Sequence, residues 1–409
     1  MSFKVNVKSE IGNLRKVLLH RPGGELLNLT PNLLEELLFD DIPYLKVAQE
    51  EHDAFAKILC DEGVEVLYLE DLMADVIRDN PEVKNQFFEQ WLSEGGIHTD
   101  LYRNIITEYM NENYADPKAF VMKTIAGINL QEVKPAHVDT LVDLVSDASK
   151  LVVPPMPNLY FMRDPFAMIG NGVAINRMYS LTRNRETIYG DYIFRYHPDF
   201  QGTPTYYKRT NTFHIEGGDI LNINDHTLAI GISQRTEPDA IDKIANNIFA
   251  NEESSIDTIL AFNIPVSRAF MHLDTVFTQI DYDKFTIHPG IIGPLTVFEI
   301  TPKAGGGINI KQRDERLETI LSEYVGCPVE LIHCGGKDRI AAEREQWNDG
   351  SNTLCVRPGT IVVYERNNVT NELLNKKGLN VLEMPSAELS RGRGGPRCMS
   401  MPVWRDELK

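Results

Sequence analysis

The chain has 409 residues, of which 42% are hydrophobic and 24% are charged, a composition typical of a soluble globular protein with a sizeable core. Its 41 basic and 59 acidic residues give a formal net charge of −18, which argues against nucleic acid or an anionic membrane as the main partner. No apolar run approaches the roughly 18 residues of a membrane helix. The stretch Met1–Glu10 also lacks the apolar segment of a signal peptide.

The cysteine pattern indicates a reducing compartment. The chain has five cysteines, an odd number without any Cys-x-x-Cys pair: Cys60, Cys327, Cys334, Cys355 and Cys398. This spacing predicts neither a disulfide framework nor a structural zinc site. The economical interpretation is a cytoplasmic protein in which Cys398 remains a free thiol.

The first part of the chain predicts a strand, two helices and another strand. Thr30 and Pro31 suit the cap and the first position of a helix, and Gly63 suits a helix end. The predicted elements are a strand ending at His20, helices over 31–39 and 46–62, and a buried strand over Val64–Leu69.

Residues 71–149 lose the strand-like alternation and show helical spacing instead. Asn80 before Pro81 and Asp116 before Pro117 each pair a capping residue with proline at the first helical position. The predicted helices span 81–93, 99–113, 117–126 and 137–147. We interpret the interval as a helical bundle inserted into an α/β domain.

From residue 150 onward short strands return, with helices between them, which indicates an α/β fold. The predicted helices span 237–250, 314–325 and 370–377. The predicted strands span 173–176, 220–223, 227–232, 258–262, 268–279, 285–287, 329–333, 353–356, 361–364 and 380–384.

Short matches hint at internal repetition. A strand, a histidine and a glycine pair recur at His20–Gly24, His214–Gly218 and His333–Gly336. Polar residues recur beside strands at Asp164 and at His272–Asp274. A radial arrangement of similar units, each presenting a strand end to one central site, is consistent with this pattern.

His272 and Asp274 are the first candidates for chemistry. In the strand predicted over 268–279, alternation places both side chains on one face. Such a pair serves as a base and a binding group, or as two metal ligands, or as a hydrogen-bonded pair within a core strand. The metal interpretation is the poorer one, because no third ligand stands at metal-site spacing.

Two further stretches place acids beside strand ends. The glycines of His214-Ile-Glu216-Gly-Gly-Asp219 allow a ligand or a second backbone to approach closely. Asp164 lies before a proline where an extended segment must stop. Each stretch alone is equally consistent with a solvated turn. His214 is a second candidate base, ranked below His272.

The run Arg391-Gly-Arg-Gly-Gly-Pro-Arg-Cys398 places one thiol behind a glycine-rich, basic loop. Arg391, Arg393 and Arg397 predict a positive field that favours the thiolate, the nucleophilic form of cysteine. Carboxylates gathered nearby act in the opposite direction and make the thiol harder to ionise, so full reactivity would require a bound cation.

Together these residues suggest nucleophilic catalysis on a planar cation. A cysteine with a histidine is typical of a covalent intermediate. Several carboxylates suit a guanidinium held by forked, charge-assisted hydrogen bonds, whereas a peptide carbonyl needs an oxyanion hole.

At this point the motifs resemble the arginine deiminase family. The similarity rests on Asn158-Leu-Tyr-Phe-Met-Arg-Asp164, His214-Ile-Glu216-Gly-Gly-Asp219, Met271-His272-Leu-Asp274 and Gly392-Arg393-Gly-Gly-Pro-Arg-Cys398, in the family's order. It begins at Ser9-Glu10-Ile-Gly-Asn and runs through essentially the whole chain. The resemblance implies a pentein fold, a five-fold pseudosymmetric α/β propeller, with 1–409 as one catalytic domain and 71–149 as the inserted bundle. It implies hydrolysis of L-arginine to L-citrulline and ammonia without metal or organic cofactor.

The resemblance also implies a role for each matched residue. Cys398 is the nucleophile, His272 the general acid and base, and Glu216 the acid that orients His272. Asp164 and Asp274 bind the guanidinium. The remaining implied substrate-binding residues are Asn158, Arg183, Asp219, Arg235 and Arg393, with Arg185 as the alternative to Arg183 if the local alignment slips.

Other functions remain open from sequence. An amidinotransferase of the same fold uses the same thiol, a relative acts on dimethylarginine or agmatine, and a non-catalytic protein only binds arginine. We expect a small-molecule substrate, no nucleic acid or membrane partner, and a homo-oligomer, either a dimer or a tetramer.

Overall fold

The strands of the protein repeat one pairing pattern. A computed structural model describes residues 5–133, 151–265, 270–291 and 295–408. The strands are β1 (Leu14–Leu19), β2 (Glu65–Tyr68), β3 (Ile128–Asn129), β4 (Leu151–Val153), β5 (Phe166–Ile169), β6 (Gly172–Ile175), β7 (Thr205–Tyr207), β8 (Ile220–Asn222), β9 (Thr227–Ile232), β10 (Thr258–Asn263), β11 (Phe277–Gln279), β12 (Lys284–Ile287), β13 (Thr296–Pro302), β14 (Ile308–Arg313), β15 (Glu330–His333), β16 (Leu354–Arg357), β17 (Thr360–Tyr364), β18 (Asn380–Met384) and β19 (Met401–Arg405).

Five units within the described residues share the same topology. In each unit the first strand pairs antiparallel with the second, and the second pairs parallel with the third. The units are β5-β6-β7, β8-β9-β10, β11-β12-β15, β16-β17-β18 and β19-β1-β2. The last unit joins the two ends of the chain, with Val17 opposite Pro402 on one side and Val66 on the other.

Two hairpins complete the strand pairing. Strands β13 and β14 extend the second unit into a five-stranded sheet, and β3 pairs with β4 in a separate two-stranded sheet. The observed strands confirm the predicted α/β fold. They correct the repeat inferred from histidines: His20 follows the middle strand of its unit, whereas His333 ends a third strand.

Helices cover these strands and build the segment between β2 and β3. The described α-helices are Leu45–Asp61, Leu69–Arg78, Pro81–Glu94, Asp100–Asn113, Pro117–Ala126, Leu181–Asn184, Thr187–Tyr196, Pro238–Phe249, Leu273–Val276, Leu317–Val325, Arg339–Trp347 and Asn368–Lys376. Short 3-10 helices lie at Gly24–Asn28, Pro31–Leu33, Pro157–Tyr160, Gly217–Asp219, Pro289–Ile291 and Leu389–Gly392. Across the described ranges, no helix is both long enough and apolar enough to span a bilayer.

The helical segment forms largely where the sequence predicts it. The side chain of Asn80 accepts a hydrogen bond from the Val83 amide, and that of Asp116 accepts one from the Ala119 amide, so both predicted caps are confirmed. Apolar side chains of these helices, including Trp91, pack into the core. The helix predicted over 137–147 lies outside the described residues.

Two buried ion pairs join the helical segment to the strands. His20 contacts Glu70 at 2.9 Å, and Arg209 forms a fork with Glu94 at 2.7 and 2.6 Å. Burial alone lowers the pKa of His20, but Glu70 and Glu25 outweigh it and raise that pKa to about 10. His20 is therefore an imidazolium at neutral pH and pairs with both carboxylates.

The helix predicted over 31–39 is wrong. Only Pro31–Leu33 is helical, as a single 3-10 turn, and Thr30 makes no side-chain cap. Leu38 takes a left-handed φ of 60°, which a continuing α-helix excludes. The segment instead forms turns that line a cavity described below.

The strand predicted over 268–279 is also wrong for most of its described length. The chain forms a short helix, Leu273–Val276, and only then enters β11. Asp219 Oδ1 accepts a hydrogen bond from the Leu273 amide at 2.8 Å, and the Thr275 hydroxyl donates to the His272 carbonyl at 2.6 Å. These contacts stabilise a helical turn, so strand alternation does not relate His272 to Asp274.

Candidate active site

A cavity of about 760 Å³ collects side chains from distant parts of the chain. Seven of the predicted site residues line it: Asn158, Asp164, Arg183, Arg235, His272, Arg393 and Cys398. Glu216, Asp219 and Asp274 are buried beside this lining. His214, the lower-ranked candidate base, is not among the lining residues and contacts the Arg235 carbonyl instead.

The five units explain this convergence, because each supplies residues from the segment just before its first strand. Cys398 precedes β19, Asp164 precedes β5, Glu216 precedes β8 and His272 precedes β11. The fifth segment precedes β16 and contains Asn352. Equivalent positions of repeated units therefore meet at one site.

Cys398 is held in a tightly packed loop. Its amide donates to Asn352 Oδ1 at 3.1 Å, and its carbonyl accepts from the Arg163 amide at 3.0 Å. A Cβ at Gly394 would lie 2.4 Å from the Phe161 ring, so only glycine permits this approach. The sulfur lies 3.7 Å from Asp274 Oδ2.

The thiol is flanked by carboxylates, and each arginine of its loop is paired with an acid. Arg391 pairs with Asp41, and Arg397 pairs with Glu10 and Asp274. Arg393 pairs with Asp40 at 3.1 Å and stacks 3.5 Å from the centre of the Trp347 ring.

The acids around Cys398 keep its thiol protonated in the free protein. Burial, followed by Asp274, Asp164 and Asp349, raises the pKa of Cys398 well above its usual value. The prediction that the loop arginines favour a thiolate is wrong, because carboxylates neutralise them. The prediction that carboxylates make this thiol harder to ionise is confirmed.

His272 lies at the start of the helix Leu273–Val276. Its Nε2 atom contacts Glu216 Oε2 at 2.7 Å, and its Nδ1 atom lies 3.9 Å from Asp164 Oδ1. Burial lowers the pKa of His272, but Asp164 and Glu216 outweigh it and raise that pKa to about 9. His272 is therefore an imidazolium at neutral pH. A Cβ at Gly218 would lie 2.7 Å from its ring, which explains that glycine.

Glu216 and Asp219 differ in their contacts. Burial raises the pKa of Glu216, but Arg235 and His272 outweigh it and lower that pKa to about 2, so this acid stays ionised. Asp219 instead accepts hydrogen bonds from Ser233, Thr236 and the Leu273 amide. Asp219 thus fixes the backbone that carries His272, and it is not part of the cavity lining.

Asp164 and Asp274 each have one oxygen engaged and one oxygen available. Arg183 Nη1 donates to Asp164 Oδ2 at 2.7 Å, and Arg397 Nη1 donates to Asp274 Oδ2 at 2.7 Å. The two Oδ1 atoms are buried without a hydrogen-bond partner among the described residues. Buried acceptors of this kind are costly unless a ligand satisfies them.

The candidate residues for the rest of a ligand already have contacts within the protein. Arg235 lies 3.9 Å from Glu216 and packs 5.3 Å from the Tyr179 ring centre. Arg183 is buried and also forms a fork with Glu186. Arg185 donates to the Pro154 carbonyl and does not line the cavity, so the structure favours Arg183 over it. The Asn158 side chain donates to the Leu37 carbonyl at 2.6 Å.

Three potential metal donors meet here despite their sequence spacing. Ligand atoms of Asp164, Glu216 and His272 lie within 4.8 Å of one another. The sequence argument, that no third ligand stands at metal-site spacing, did not detect this group because the three residues are far apart in the chain. The pKa of about 9 keeps the imidazole protonated at neutral pH, and a metal would have to displace that proton. The arrangement suits acid–base chemistry better.

Sequence reasoning missed four residues that support this site. Glu10 and Glu186 each hold an arginine, and Asn352 joins the Cys398 amide to the Asp274 carbonyl. Asp349 is buried with a left-handed φ of 57°, and burial raises its pKa to about 7. The Asn348-Asp-Gly350 turn before a predicted strand was the available signal, and it identifies a turn without identifying its contacts.

Comparisons with known proteins identify the family. A family model described as Arginine deiminase matches residues 35–405. Proteins named Arginine deiminase from Treponema denticola, Clostridium perfringens and Streptococcus agalactiae are 61%, 54% and 50% identical to the chain over 408 residues. Each alignment covers 99% of this chain and 99%, 98% and 98% of those proteins respectively. The chain belongs to the arginine deiminase family.

Solved structures of the pentein superfamily share the fold at low identity. SxtG, an amidinotransferase from Microseira wollei, aligns with a TM-score of 0.57 at 14% identity over 99% of this chain and 98% of that one. A dimethylarginine dimethylaminohydrolase adduct with S-methyl-L-thiocitrulline aligns with a TM-score of 0.52 at 14% identity over 95% and 99%. The N-terminal domain of ArgZ, an arginine dihydrolase from cyanobacteria, aligns with a TM-score of 0.54 at 14% identity over 96% of this chain and 99% of that one. These neighbours support a mixed α/β fold of the pentein type.

The protonation of Cys398 should respond to a bound guanidinium. We expect methylguanidinium to move the ionisation of Cys398 to lower pH, because the cation offsets the carboxylates that raise this pKa in the free protein. The measurement is thiolate absorbance against pH, with the Cys398→Ser protein subtracted to remove the other cysteines. Tetramethylammonium at equal concentration is the control. Coincident curves with and without methylguanidinium would contradict the electrostatic account.

Proposed function

We propose that the protein hydrolyses L-arginine to L-citrulline and ammonia through a covalent intermediate on Cys398. The observation that carries this proposal is the meeting of a thiol, an imidazolium and two buried aspartate oxygens in and beside one cavity. A guanidinium is planar and offers nitrogen donors on both sides of its carbon. Its family membership supports the same substrate.

Asp164 and Asp274 bind the guanidinium in this proposal. Each contributes its buried Oδ1 atom, because Arg183 and Arg397 already occupy the Oδ2 atoms. The sequence led us to expect forked contacts from each carboxylate, whereas here each aspartate offers the guanidinium a single oxygen. A neutral urea lacks the positive charge that these two acids require, so citrulline is bound less tightly than arginine.

The chemistry divides into two steps. The Cys398 thiolate attacks the guanidinium carbon, His272 gives a proton to the departing nitrogen, and ammonia leaves an S-linked thiouronium. The neutral His272 then takes a proton from water, which attacks the same carbon and releases the thiol and the ureido group of citrulline. Because Nε2 contacts Glu216, Nδ1 is the atom that transfers the proton. The pKa of about 9 supplies that proton at neutral pH.

The amino-acid end of the substrate is assigned to the outer part of the cavity. Arg235 and Arg393 line it and carry the positive charge that an α-carboxylate requires, with Asn158 nearby. Arg183 lines it as well, but its fork with Glu186 and its contact with Asp164 use most of its donors. The main role that we assign to Arg183 is to hold Asp164, and binding of the substrate α-carboxylate is its secondary role.

The finer architecture belongs to the same proposal. The five repeated units are proposed to form a closed five-fold pseudosymmetric propeller, a single catalytic domain over 1–409 with 71–149 inserted as a helical bundle. A cytoplasmic homo-oligomer, either a dimer or a tetramer, is proposed with it. Light scattering after size-exclusion chromatography measures the oligomeric state.

Release of citrulline tests the proposed function. Purified protein treated with a chelator is expected to convert L-arginine into equal amounts of citrulline and ammonia, because no step requires a metal. Agmatine is expected to be a poor substrate, since it lacks the α-carboxylate. Transfer to added glycine, seen as guanidinoacetate without citrulline, would instead identify an amidinotransferase. Arginine binding without either product would leave only a binding protein.

A further inference from the structure

Two buried arginines hold the two guanidinium-binding aspartates in the same way. Arg183 Nε and Nη2 donate to Glu186, and its Nη1 donates to Asp164 Oδ2 at 2.7 Å. Arg397 Nε and Nη2 donate to Glu10, and its Nη1 donates to Asp274 Oδ2, again at 2.7 Å. Both sets follow the order glutamate, arginine, aspartate.

We propose that Glu10 and Arg397 are positioning residues that hold Asp274 in the orientation required for guanidinium binding. The inference rests on the proposed function of Asp274. Neither residue lines the cavity, so each acts through Asp274 and neither is expected to touch the substrate. Sequence reasoning assigned Arg397 only a general positive charge, and it gave Glu10 no role.

The donors of Arg397 are almost fully committed. Its Nε and Nη2 contact Glu10 at 3.1 Å each, and Nη2 also donates to the Ile220 carbonyl at 2.8 Å. Glu10 is fixed in turn by the Asn222 amide at 3.1 Å. The remaining donor, Nη1, is aimed at Asp274. A carboxylate with one oxygen held in this way cannot rotate its second oxygen freely.

Charge supports the same assignment. Burial raises the pKa of Glu10, but Arg397 and Arg163 outweigh it and lower that pKa to about 2, so Glu10 stays ionised. Arg397 thus lies between two carboxylates, and all three side chains are buried. Removing Arg397 would therefore leave the Asp274 carboxylate buried without this ion pair, which is costly.

Neighbouring arginines show that this contact is specific. Arg163 donates to the Arg397 carbonyl, and Arg405 donates to the carbonyls of Gly12 and Cys355. Both are buried, and burial lowers the pKa of each. Among the described arginines, Arg397 is the one that contacts the Asp274 carboxylate.

Kinetics of Arg397→Met, Arg397→Lys and Glu10→Gln test the proposal. Arg397→Met is expected to lower kcat by roughly 10- to 100-fold, as losses of orienting partners commonly do. KM should rise by no more than about tenfold, because Arg235 and Arg393 still bind the other end of the substrate. Arg397→Lys should recover part of kcat through its charge, and Glu10→Gln should lose less than Arg397→Met.

A double-variant cycle separates positioning from general damage. In the Asp274→Asn background, Arg397→Met should lower kcat by no more than about twofold further, because its target is already lost. Arg209→Met is the matched control, since Arg209 is also buried and forked with a glutamate, Glu94, but contacts neither aspartate. It should leave kcat and KM unchanged. Equal losses from Arg397→Met with and without Asp274 would overturn the proposal.

Binding measurements keep this inference separate from the proposed function. Calorimetry with Cys398→Ser protein should show weaker L-arginine binding, by about tenfold, when Arg397→Met is added. This result does not depend on turnover, so it is readable even if the wild-type protein makes no citrulline. Unchanged binding together with unchanged kcat would show that Arg397 does not act through Asp274. If Arg397→Met fails to fold, Glu10→Gln supplies the same two readouts.

Discussion

Cys398→Ser is expected to lower citrulline formation by at least about four decades, as removal of a covalent nucleophile does in other enzymes. The serine hydroxyl is far harder to ionise than a thiol, and the same carboxylates that raise the pKa of Cys398 oppose its ionisation further. L-Arginine should still bind, because the aspartates and the arginines of the cavity are unchanged. Single-turnover assays and calorimetry measure the two effects separately.

Cys334→Ser is the matched control for this variant. Cys334 is also buried, burial raises its pKa, and its sulfur accepts a hydrogen bond from Thr370, so serine fits its surroundings. Its activity should stay within about twofold of wild type, as for a residue away from the chemistry. Near-normal citrulline production by Cys398→Ser would show that another residue attacks the substrate.

Asp164→Asn is expected to lower kcat/KM by about two to three decades. The change removes one of the two carboxylates proposed to bind the guanidinium and one of the two carboxylate partners of Arg183, and a broken buried ion pair costs on the order of 3–4 kcal/mol. Arg183 is held by Glu186, so the chain should still fold. Steady-state assays and a thermal melt check both expectations.

The pH profile gives Asp164→Asn a second readout. Asp164 is the first of the charges that raise the pKa of His272 to about 9, so its loss lowers that pKa. Activity that needs the imidazolium should then decline at lower pH than in the wild type. Glu94→Gln is the control, because Glu94 pairs with Arg209 and does not line the cavity. An unchanged kcat/KM for Asp164→Asn would refute the guanidinium contact.

The free site holds Cys398 as an unreactive thiol because of the charged residues around it. Carboxylates outnumber the uncommitted positive charges around Cys398, because Arg391, Arg393 and Arg397 are each paired with acids. The thiol is therefore protonated until a cation enters. A site of this kind reacts with guanidinium compounds in preference to neutral amides, because only a bound cation offsets the carboxylates and makes the thiol easier to ionise.

Local signals in the sequence predicted the elements that local interactions stabilise. Asn80 and Asp116 cap their helices by hydrogen bonds within one turn, and these helices begin where the sequence indicates. The helix Thr187–Tyr196 was not predicted, and no side chain caps its start, so the usual start signal is absent. The helix Arg339–Trp347 was also missed, because it combines polar and apolar residues without a clear apolar face.

Elements that depend on distant partners were predicted wrongly. The turn at His272 exists because Asp219, far back in the chain, accepts a hydrogen bond from the Leu273 amide. The charge on the Cys398 loop was misjudged because Asp40, Asp41 and Glu10 lie more than 300 positions away in the sequence. Such partners leave no trace in a local window.

The sequence by itself determined the α/β class, the capped helices and, through family resemblance, the proposed active-site side chains Cys398, His272, Glu216, Asp164 and Asp274. Only the tertiary structure decided which oxygen of each aspartate is available, which arginines are already paired, and how Glu10 and Asn352 support the site. The physical reason is that residue type and short-range periodicity fix the backbone preference of a segment and the kind of chemistry its side chains can perform. The pKa of a side chain and its free hydrogen-bonding atoms depend on neighbours that meet only when the five units pack together.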